Sequence, residues 1–344
     1  MPRTVLLRAW LGSCLAGRPQ RPHHDRDDAG FRIEPASADA SFRRYFRITL
    51  PDGSTRIVMD APPEFEDCRP FLKVAALFRA AGVHVPEVYA EDVDSGFLLL
   101  SDLGRTIYLD VLDAASAPRL YRQANQALLT IQSASTPGVL PEYDRALLSR
   151  ELALFPDWYI ARHLGAALDE SQQSVLHSVF DKILANNLAQ PKVFVHRDYH
   201  SRNLMACADD YPKNPGVIDF QDAVYGPLTY DLVSLYRDAY IDWPEEYELD
   251  LVIRYWEMAR AAGLPVQAAF ADFYRDYEWM GAQRQLKVLG IFARLCHRDG
   301  KAGYLADMPR VLAYLRRTCE RYLDLRPLAR LLDQLEKPCV KKCN

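Results

Sequence analysis

The chain contains the stretch Val195-His196-Arg197-Asp198-Tyr199-His200-Ser201-Arg202-Asn203, and Ile218-Asp219-Phe220 follows it a short distance along the sequence. The first segment has the pattern H-R-D-x-x-x-x-N and the second has the pattern I-D-F. Together they supply a carboxylate (Asp198), an amide oxygen (Asn203) and a second carboxylate (Asp219). The rest of the interpretation starts from these three oxygen-bearing side chains.

Apolar runs around the two motifs predict how these groups meet. Val193-Phe194-Val195 is a short β-branched run that is typical of a buried strand. Leu204-Met205 and Val217-Ile218 are two more such runs, and residues 209–216 between them are rich in turn formers. The pattern predicts a hairpin whose open end brings the amide beside the second carboxylate, with the first carboxylate on the loop that leads into it.

This spacing is typical of enzymes that transfer a phosphoryl group from Mg-ATP. Asp198 is the candidate catalytic residue, because a carboxylate there can accept or orient the proton of an acceptor hydroxyl. Asn203 and Asp219 are the candidate Mg²⁺ ligands, since one amide and one carboxylate with phosphate oxygens and water complete an octahedral shell. The alternative is a surface loop with ordinary turn-forming Asp and Asn residues, which fits the joint occurrence of both motifs less well.

The composition is that of a globular protein. The chain has 344 residues, of which 49% are hydrophobic and 26% charged, with a formal net charge of -4. That charge argues against nucleic acid as a partner, and no apolar run approaches the roughly 20 residues that span a bilayer. Arg8 interrupts the apolar run Val5–Leu11, which favours an amphipathic first helix over a signal segment. We therefore expect a cytoplasmic monomer that binds neither nucleic acid nor membranes.

Cysteine usage is consistent with that compartment. The number of cysteines is odd and no C-x-x-C pair occurs, so reduced thiols are expected. The seven positions are Cys14, Cys68, Cys207, Cys296, Cys319, Cys339 and Cys343.

The N-terminal third has strand and helix patterns in an order that predicts an α+β fold. Residues 66–81 show helical spacing and end at Gly82. Five short runs predict an antiparallel sheet, and the turn formers Pro51–Ser54 separate the second run from the third. The five runs are Phe31–Ile33, Arg44–Leu50, Thr55–Met59, Val88–Ala90 and Gly96–Leu100.

After Ser101–Gly104 the apolar residues recur at helical spacing, and we expect only the catalytic hairpin to interrupt the helices. The predicted architecture is a protein-kinase-like two-lobe fold. Residues 1–100 form a small lobe that begins with a helix and holds the five-stranded antiparallel sheet plus one helix. Residues 101–104 form a hinge, residues 105–337 a mostly helical large lobe with the catalytic hairpin, and residues 338–344 a tail.

This order of elements, together with both motifs, resembles the aminoglycoside phosphotransferase and choline kinase family of the protein-kinase-like fold. Residues 38–47, 59–64 and 218–227 resemble more narrowly the bacterial anomeric N-acetylmuramate/N-acetylglucosamine kinases. The resemblance implies ATP and Mg²⁺ as cofactors. It also implies phosphorylation of the C1 hydroxyl of an amino sugar to the α-1-phosphate, in cell-wall recycling towards UDP-N-acetylmuramate.

The sequence departs from typical kinases at two places. It has no G-x-G-x-x-G loop; residues 39–43 stand there instead, so Ser41, Phe42 and Arg43 are the candidate phosphate contacts, with Arg44 as a further cation. The third strand has Met59-Asp60 where a phosphate-pairing Lys is usual. An Asp does not bind phosphate directly, so it acts there only through Mg²⁺ or by orienting an Arg.

The remaining roles follow from the resemblance. Adenine is expected against residues 98–103, bonded to the backbone of Asp102 or Leu103, while His196 and Asp231 support the catalytic loop, the latter by accepting backbone N–H bonds. An arginine is expected to bind the lactyl carboxylate of N-acetylmuramate, and Arg202, Arg294 and Arg298 are the candidates. The full set of candidate sugar contacts is His200, Arg202, Asp222, Tyr225, Arg294 and Arg298.

Two alternatives stay open at this point. One is a kinase of the same fold for an aminoglycoside, choline or homoserine, although the cationic segment at residues 294–298 is less suited to a cationic acceptor. The other is a nucleotide-binding pseudokinase that acts as a scaffold, which the missing Lys and glycines suggest. The presence of Asp198, Asn203 and Asp219 together argues against the scaffold.

Overall fold

The computed structural model describes residues 3–15, 31–38, 42–207 and 214–336. In chain order its elements are α1 Arg3–Leu15, β1 Arg32–Ala38, β2 Arg44–Thr49, β3 Thr55–Asp60, α2 Arg69–Ala81, β4 Val88–Asp92, β5 Phe97–Ser101, α3 Tyr108–Val111, α4 Ala117–Ser133, α5 Arg145–Leu154, a π-helix Phe155–His163, α6 Glu170–Ala189, β6 Lys192–Val195, β7 Leu204–Met205, β8 Gly216–Val217, β9 Val224–Pro227, α7 Tyr230–Tyr236, α8 Glu245–Ala261, α9 Phe270–His297, a 3₁₀ helix Ala302–Asp307, α10 Met308–Arg321 and α11 Arg326–Glu336. The described residues divide into two compact units, the first within Met1–Thr106 and Met205–Asp222, the second within Ile107–Leu204 and Ala223–Asn344.

The first unit is built on a five-stranded sheet. Its strand order is β1-β2-β3-β5-β4, and every neighbouring pair is antiparallel. The predicted antiparallel sheet is therefore confirmed, and each strand overlaps its predicted range, although β1 ends five residues later, at Ala38. The turn between β2 and β3 closes through a hydrogen bond from the Leu50 N–H to the Ser54 carbonyl (2.9 Å) and has Gly53 at a positive φ of 83°. Turns of this kind favour glycine at such a position.

Helix α2 follows the apolar spacing that predicts it. It buries Phe71, Val74, Ala75 and Phe78, and it ends at Gly82, whose φ of 95° is in the left-handed region. A glycine closes a helix there because it has no Cβ to clash. The predicted helix is present and starts three residues later than the predicted range, at Arg69.

Helix α1 belongs to the first unit. Leu7 and Leu11 are buried in one apolar cluster with residues of the sheet, among them Ile48, Val58 and Leu99. Since alternate residues of a strand point to opposite faces, α1 covers the face of the sheet that carries Val58. The predicted first helix is thus part of the core of this unit.

The hairpin of β7 and β8 is present and adjoins the sheet unit, with its connecting residues 208–213 outside the described part of the chain. Backbone hydrogen bonds attach it: the Val217 N–H donates to the His84 carbonyl (2.8 Å), and the Ala206 N–H donates to the Thr106 carbonyl (2.9 Å). Gly216 fits closely, because a Cβ there would lie 2.9 Å from Leu103 Cδ1.

The second unit is mainly helical, and α9 is its central element. Most of α9 is buried, including the charged residues Arg284 and Lys287.

One expectation is wrong: the hairpin is not the only interruption of the helices, because β9 pairs antiparallel with β6. Gly226 allows this pairing, since a Cβ there would lie 2.5 Å from the Cβ of Tyr143. The close contact comes from a distant residue and has no local signal.

Within the described ranges, the helices are all too short or too polar to cross a membrane.

Truncation of Leu11 tests the packing of α1. Leu11→Ala removes a side chain with 0% exposure and is expected to destabilise the first unit by about 2–5 kcal/mol through the lost burial and the cavity. Hydrogen–deuterium exchange of the amides in β2, β3 and β5 measures this directly and should become faster. Val5→Ala, at a position that is 42% exposed, is the control and should change exchange little. Unchanged exchange in Leu11→Ala would show that α1 does not contribute to this core.

Candidate active site

A buried carboxylate fixes the loop that follows β6. Asp231, in the first turn of α7, is fully buried, and its Oδ2 and Oδ1 accept hydrogen bonds from the backbone N–H groups of His196 (2.7 Å) and Arg197 (3.0 Å). Burial raises the pKa of Asp231 to about 7, although both hydrogen bonds favour the charged form. His196 is also buried, and its Nδ1 accepts a hydrogen bond from the Asp198 N–H (3.3 Å).

Two residues of the motifs have strained backbone. Arg197 has φ 78° and Asp219 has φ 64°, and they are the non-glycine residues with positive φ in the part of the chain that the structure describes. Such conformations cost of order 1–3 kcal/mol each and concentrate at functional sites. In both motifs the strain lies at or next to a residue predicted to carry chemistry.

The carboxylate of Asp198 is ionised at neutral pH. Burial by itself would raise its pKa, but the positive charges of Lys287, Arg284 and Arg197 outweigh burial and lower the pKa to about 2. Lys287 is itself buried on α9, where its Nζ donates to the Tyr230 hydroxyl (2.8 Å). The surroundings therefore hold Asp198 as an anion that can accept a hydrogen bond.

Glu151 of α5 balances two of these cations. Its Oε1 lies 2.5 Å from Nη2 of Arg197 and 3.1 Å from Nζ of Lys287. Glu151 is only 5% exposed, so burial would raise its pKa, but the charges of Lys287 and Arg197 and the Tyr143 hydroxyl lower it. Sequence reasoning missed Glu151, Arg284 and Lys287. For Arg284 and Lys287 the available signal was two charges within residues 280–293, whose other members are uncharged.

The amide of Asn203 has a fixed orientation. Its Nδ2 donates to the backbone carbonyl of Asp198 at 2.9 Å, and its own N–H donates to the His200 carbonyl at 2.9 Å. Because the NH₂ end of the amide is bonded to the loop, Oδ1 is the end that offers a lone pair to a cation.

The ring of Tyr240 lies beside both His200 and Arg202. The His200 ring makes an edge-on contact with the Tyr240 ring (5.6 Å between centroids), and the Arg202 guanidinium lies 4.6 Å from the centroid of the same ring. Burial lowers the pKa of His200, and its buried Nδ1 has no hydrogen-bond partner among the described residues. Tyr240 therefore belongs to the neighbourhood of the catalytic loop rather than to the helical core. Tyr236 and Tyr255 are buried in that core.

The second motif lies in the first unit. Asp219 is half-buried, and its Oδ1 accepts a hydrogen bond from Nε2 of Gln221 (2.8 Å). The neighbouring Phe220 is fully buried and packs on α2, with its ring centroid 4.9 Å from that of Phe71 and 5.8 Å from that of Phe78. Phe220 thus fixes the strained segment on the helix.

The other predicted sugar contacts have different surroundings. Asp222 is exposed, whereas Tyr225 is half-buried on β9 with its ring edge-on to Phe194. Arg298 follows the end of α9 and is exposed, and Arg294 is half-buried within that helix. Their contact with a sugar stays a prediction.

Asp60 is on the face of the sheet that α1 covers. It points to the same face as Val58, is fully buried, and accepts hydrogen bonds from Nε of Arg3 (2.5 Å) and from Arg44. The sequence suggested that Asp60 acts either through Mg²⁺ or by orienting an arginine. These hydrogen bonds match the second role. Met59 faces the opposite side at this register.

The candidate nucleotide contacts of the first unit are partly described. Ser41 lies outside the described residues. Phe42 is 62% exposed and stacks on Phe65 with ring centroids 4.6 Å apart. Nε of Arg43 lies 3.9 Å from a carboxylate oxygen of Glu66.

The segment predicted as a hinge is fixed by an ion pair. Both carboxylate oxygens of Asp102 accept hydrogen bonds from Arg47 (2.5 and 2.9 Å), and Arg47 also donates to the Gly104 carbonyl (2.7 Å). Burial would raise the pKa of Asp102, but the hydrogen bonds from Arg47, Thr55 and Gly104 lower it. The Asp102 side chain is thus occupied, and only backbone groups of Asp102 and Leu103 are suited to an adenine contact.

Comparison with known proteins defines the class of protein that carries this site. The family model "Phosphotransferase enzyme family" matches residues 32–264, so the chain belongs to that family. It is 50% identical over 335 residues to the N-acetylmuramate/N-acetylglucosamine kinase of Pseudomonas aeruginosa, covering 96% of each chain. The resemblance drawn from the sequence is confirmed at the level of the family.

Solved structures show the same fold at low identity. A choline/ethanolamine kinase family protein from Mesorhizobium loti superposes with a TM-score of 0.62 at 15% identity, covering 96% of this chain and 99% of that one. An aminoglycoside phosphotransferase from Streptomyces rimosus, solved with ADP and streptomycin, has a TM-score of 0.50 at 19% identity, covering 74% and 92%. The predicted α+β, protein-kinase-like fold is confirmed.

Neutralisation of Glu151 tests the buried charge balance. Glu151→Gln leaves Arg197 and Lys287 without their shared counter-charge and is expected to destabilise the protein by about 3–5 kcal/mol at neutral pH. Because the folded-state pKa of Glu151 is lowered, its contribution is present above the unfolded pKa of about 4.5 and is lost as pH falls through the folded value. Urea unfolding at several pH values should therefore show a smaller loss of stability in acid for the variant.

Glu142→Gln is the matched control, since Glu142 forms an exposed ion pair with Lys192. Its expected effect is below about 1 kcal/mol. Equal stability of the two variants at neutral pH would contradict the proposed balance.

Proposed function

We propose that this chain is an ATP- and Mg²⁺-dependent kinase that phosphorylates the C1 hydroxyl of N-acetylmuramate and N-acetylglucosamine. The observation that carries the proposal is the 50% identity to the curated kinase of that name over 96% of both chains. The product, an α-1-phosphate, is the form that a nucleotidyltransferase needs on the way to UDP-N-acetylmuramate in cell-wall recycling. The cytoplasm, where ATP is available, is the expected compartment.

Asp198 is proposed to accept or orient the proton of the C1 hydroxyl. The ring oxygen makes an anomeric hydroxyl more acidic than an ordinary alcohol, so a weak base suffices. The lowered pKa of Asp198, about 2, keeps the acceptor ionised over the whole physiological pH range. The hydrogen bonds that Asp231 accepts support this role, because they hold the backbone immediately before Asp198 in one conformation.

Asn203 and Asp219 are proposed to hold Mg²⁺, and their chemistry fits this ion. An amide oxygen and a carboxylate are hard oxygen donors, and the bond from Asn203 Nδ2 to the loop leaves the correct end of the amide for a cation. When bound, the metal neutralises charge on the phosphates of ATP. That the two ligands share one ion stays a prediction.

The nucleotide and the sugar are assigned to separate sets of residues. Ser41, Phe42 and Arg43 are proposed for the phosphates, and the backbone of Asp102 and Leu103 for adenine. The ion pair between Arg47 and Asp102 supports the adenine assignment, because it orders the backbone that makes the contact. The proposed sugar contacts are His200, Arg202, Asp222, Tyr225, Arg294 and Arg298.

An ATP-consumption assay with purified protein tests the function. N-acetylmuramate, N-acetylglucosamine, choline and an aminoglycoside are compared as acceptors, and nuclear magnetic resonance of the product locates the phosphate on the sugar. Turnover of the two amino sugars with phosphate at C1 is expected. Preferred turnover of choline or the aminoglycoside, or no ATP consumption with any acceptor, would overturn the proposal.

Asp198→Asn tests the catalytic carboxylate. The amide keeps the shape of the side chain but cannot accept the hydroxyl proton, so kcat should fall on the order of 10²–10⁴-fold. Nucleotide affinity, measured by calorimetry with ATP and Mg²⁺, should remain within a few-fold of wild type. Asp250→Asn, at an exposed position of α8, is the control for the loss of one carboxylate. Near-normal turnover in Asp198→Asn would remove this residue from the mechanism.

Asp219→Ala tests the metal ligand. In the wild type Mg²⁺ should tighten ATP binding, and the variant should lose that gain, on the order of tenfold or about 1.4 kcal/mol. Calorimetric titration of ATP with and without Mg²⁺ measures the difference. An unchanged gain from Mg²⁺ in the variant would reject the assignment.

A further inference from the structure

The three arginines proposed for a substrate carboxylate have different partners. Arg298 is exposed and forms two hydrogen bonds with its neighbour Asp299, at 2.7 and 2.9 Å. Arg202 lies over the Tyr240 ring and interacts with Tyr304 as well, and these tyrosines raise its pKa although burial opposes them. Both side chains are therefore already engaged.

Arg294 is in a different position. It is half-buried on α9, its Nε is buried, and this atom has no hydrogen-bond partner among the described residues. No ion pair within those residues involves its guanidinium. Burial and the nearby charge of Arg298 lower its pKa, and the attraction of Asp299 only partly opposes them. A guanidinium that is partly removed from water without a carboxylate is costly, and an anionic ligand would offset that cost.

A cavity and further positive charge lie one helical turn from Arg294. The π-helix lies beside α9. The backbone of Leu154, the residue before the π-helix, is so close to α9 that a Cβ on Gly290 would lie 2.4 Å from it. The ring centroids of His163 in the π-helix and His297 in α9 are 5.6 Å apart. A surface cavity of about 460 Å³ is lined by Trp158, Arg162, His297 and Arg298. Arg294 lies one helical turn before Arg298, which lines this cavity. π-Helical segments occur frequently at functional sites.

Helix α9 connects this region to the catalytic loop within the same unit. Lys287, whose charge acts on Asp198, is two helical turns before Arg294 on nearly the same face. Seven residues of α-helix span about 10 Å. A pyranose ring that carries a lactyl group is of this size. A sugar with its C1 hydroxyl at Asp198 can therefore extend along α9 towards Arg294.

We propose that Arg294 binds the lactyl carboxylate of N-acetylmuramate and so determines how well this acidic sugar is used relative to neutral N-acetylglucosamine. The inference rests on the proposed function and adds to it a subsite for a carboxylate. The guanidinium offers two parallel N–H groups to the carboxylate, a geometry that an ammonium group does not reproduce. N-acetylglucosamine has a hydroxyl in place of the lactyl ether, so it lacks the carboxylate and makes no use of the contact.

The experiment compares kcat/KM for the two sugars in wild type, Arg294→Gln, Arg294→Ala and Arg294→Lys. Loss of a charge-assisted contact is expected to lower kcat/KM for N-acetylmuramate on the order of tenfold to a hundredfold. The value for N-acetylglucosamine should stay within about threefold, and Arg294→Lys should recover part of the loss. Arg254→Ala, which removes an exposed ion-paired arginine on α8, is the matched control.

A neutral analogue gives an independent measurement. The lactamide of N-acetylmuramate, in which an amide replaces the carboxylate, should be used equally by wild type and Arg294→Gln. This comparison uses one folded variant with two acceptors, so an overall loss of folded protein affects both alike.

The outcomes separate this proposal from the proposed function. Equal losses for both sugars in Arg294→Gln, or no loss for N-acetylmuramate, would overturn the carboxylate subsite while the kinase activity stands. Failure of the wild type to phosphorylate either sugar would overturn the function and the subsite together. A selective loss with the acid, absent with its lactamide, supports the subsite.

Discussion

The catalytic loop depends on one buried carboxylate. Asp231 accepts two backbone hydrogen bonds, from His196 and Arg197, and so holds two successive peptide groups with one side chain. Burying a carboxylate is costly, and the pKa of about 7 expresses that cost. The bonds hold Arg197 at a positive φ, and this in turn directs Asp198 out of the strand. The position of the proposed catalytic carboxylate is thus set by a neighbouring buried carboxylate.

The charges around this loop are balanced inside the second unit. Glu151 lies between Arg197 and Lys287, and both cations act on Asp198. Glu151 is the larger of the two carboxylate charges that favour the protonated form of buried Lys287, and Asp198 is the other. The arrangement keeps the proposed catalytic carboxylate, Asp198, ionised.

Local sequence predicted the parts of the fold that are held by local interactions. Short stretches of sequence predicted the turn at Pro51–Ser54, the end of α2 at Gly82 and the buried face of α2. The turn and the alternating apolar runs together predicted the antiparallel sheet. The motifs placed Asp198 and Asn203 on one loop for the same reason, since their spacing is short. The role of Asp231 entered through the resemblance, because its two bonds connect residues far apart in sequence.

The features that were missed are tertiary. Strand β9 exists because Gly226 fits against Tyr143, and the π-helix and the partners of Lys287 depend on how α9 packs. No local pattern contains this information. The sequence also did not predict that Asp60 is buried beneath α1, because this depends on which side of the sheet α1 covers.

The position of Asp60 has a consequence for phosphate binding. Alternation along β3 places Thr55, Ile57 and Met59 on the face opposite α1, so in the described part of this strand that face has no cation. Arg47 of β2 shares this face through its pairing with Ile57, but Asp102 already occupies its guanidinium. In the proposed function the phosphate charge is therefore balanced by Arg43 and by Mg²⁺, and no cation from this face of β3 takes part. At the position of the missing lysine the sheet instead has a buried acid, Asp60, that pairs with Arg3 of α1 and with Arg44.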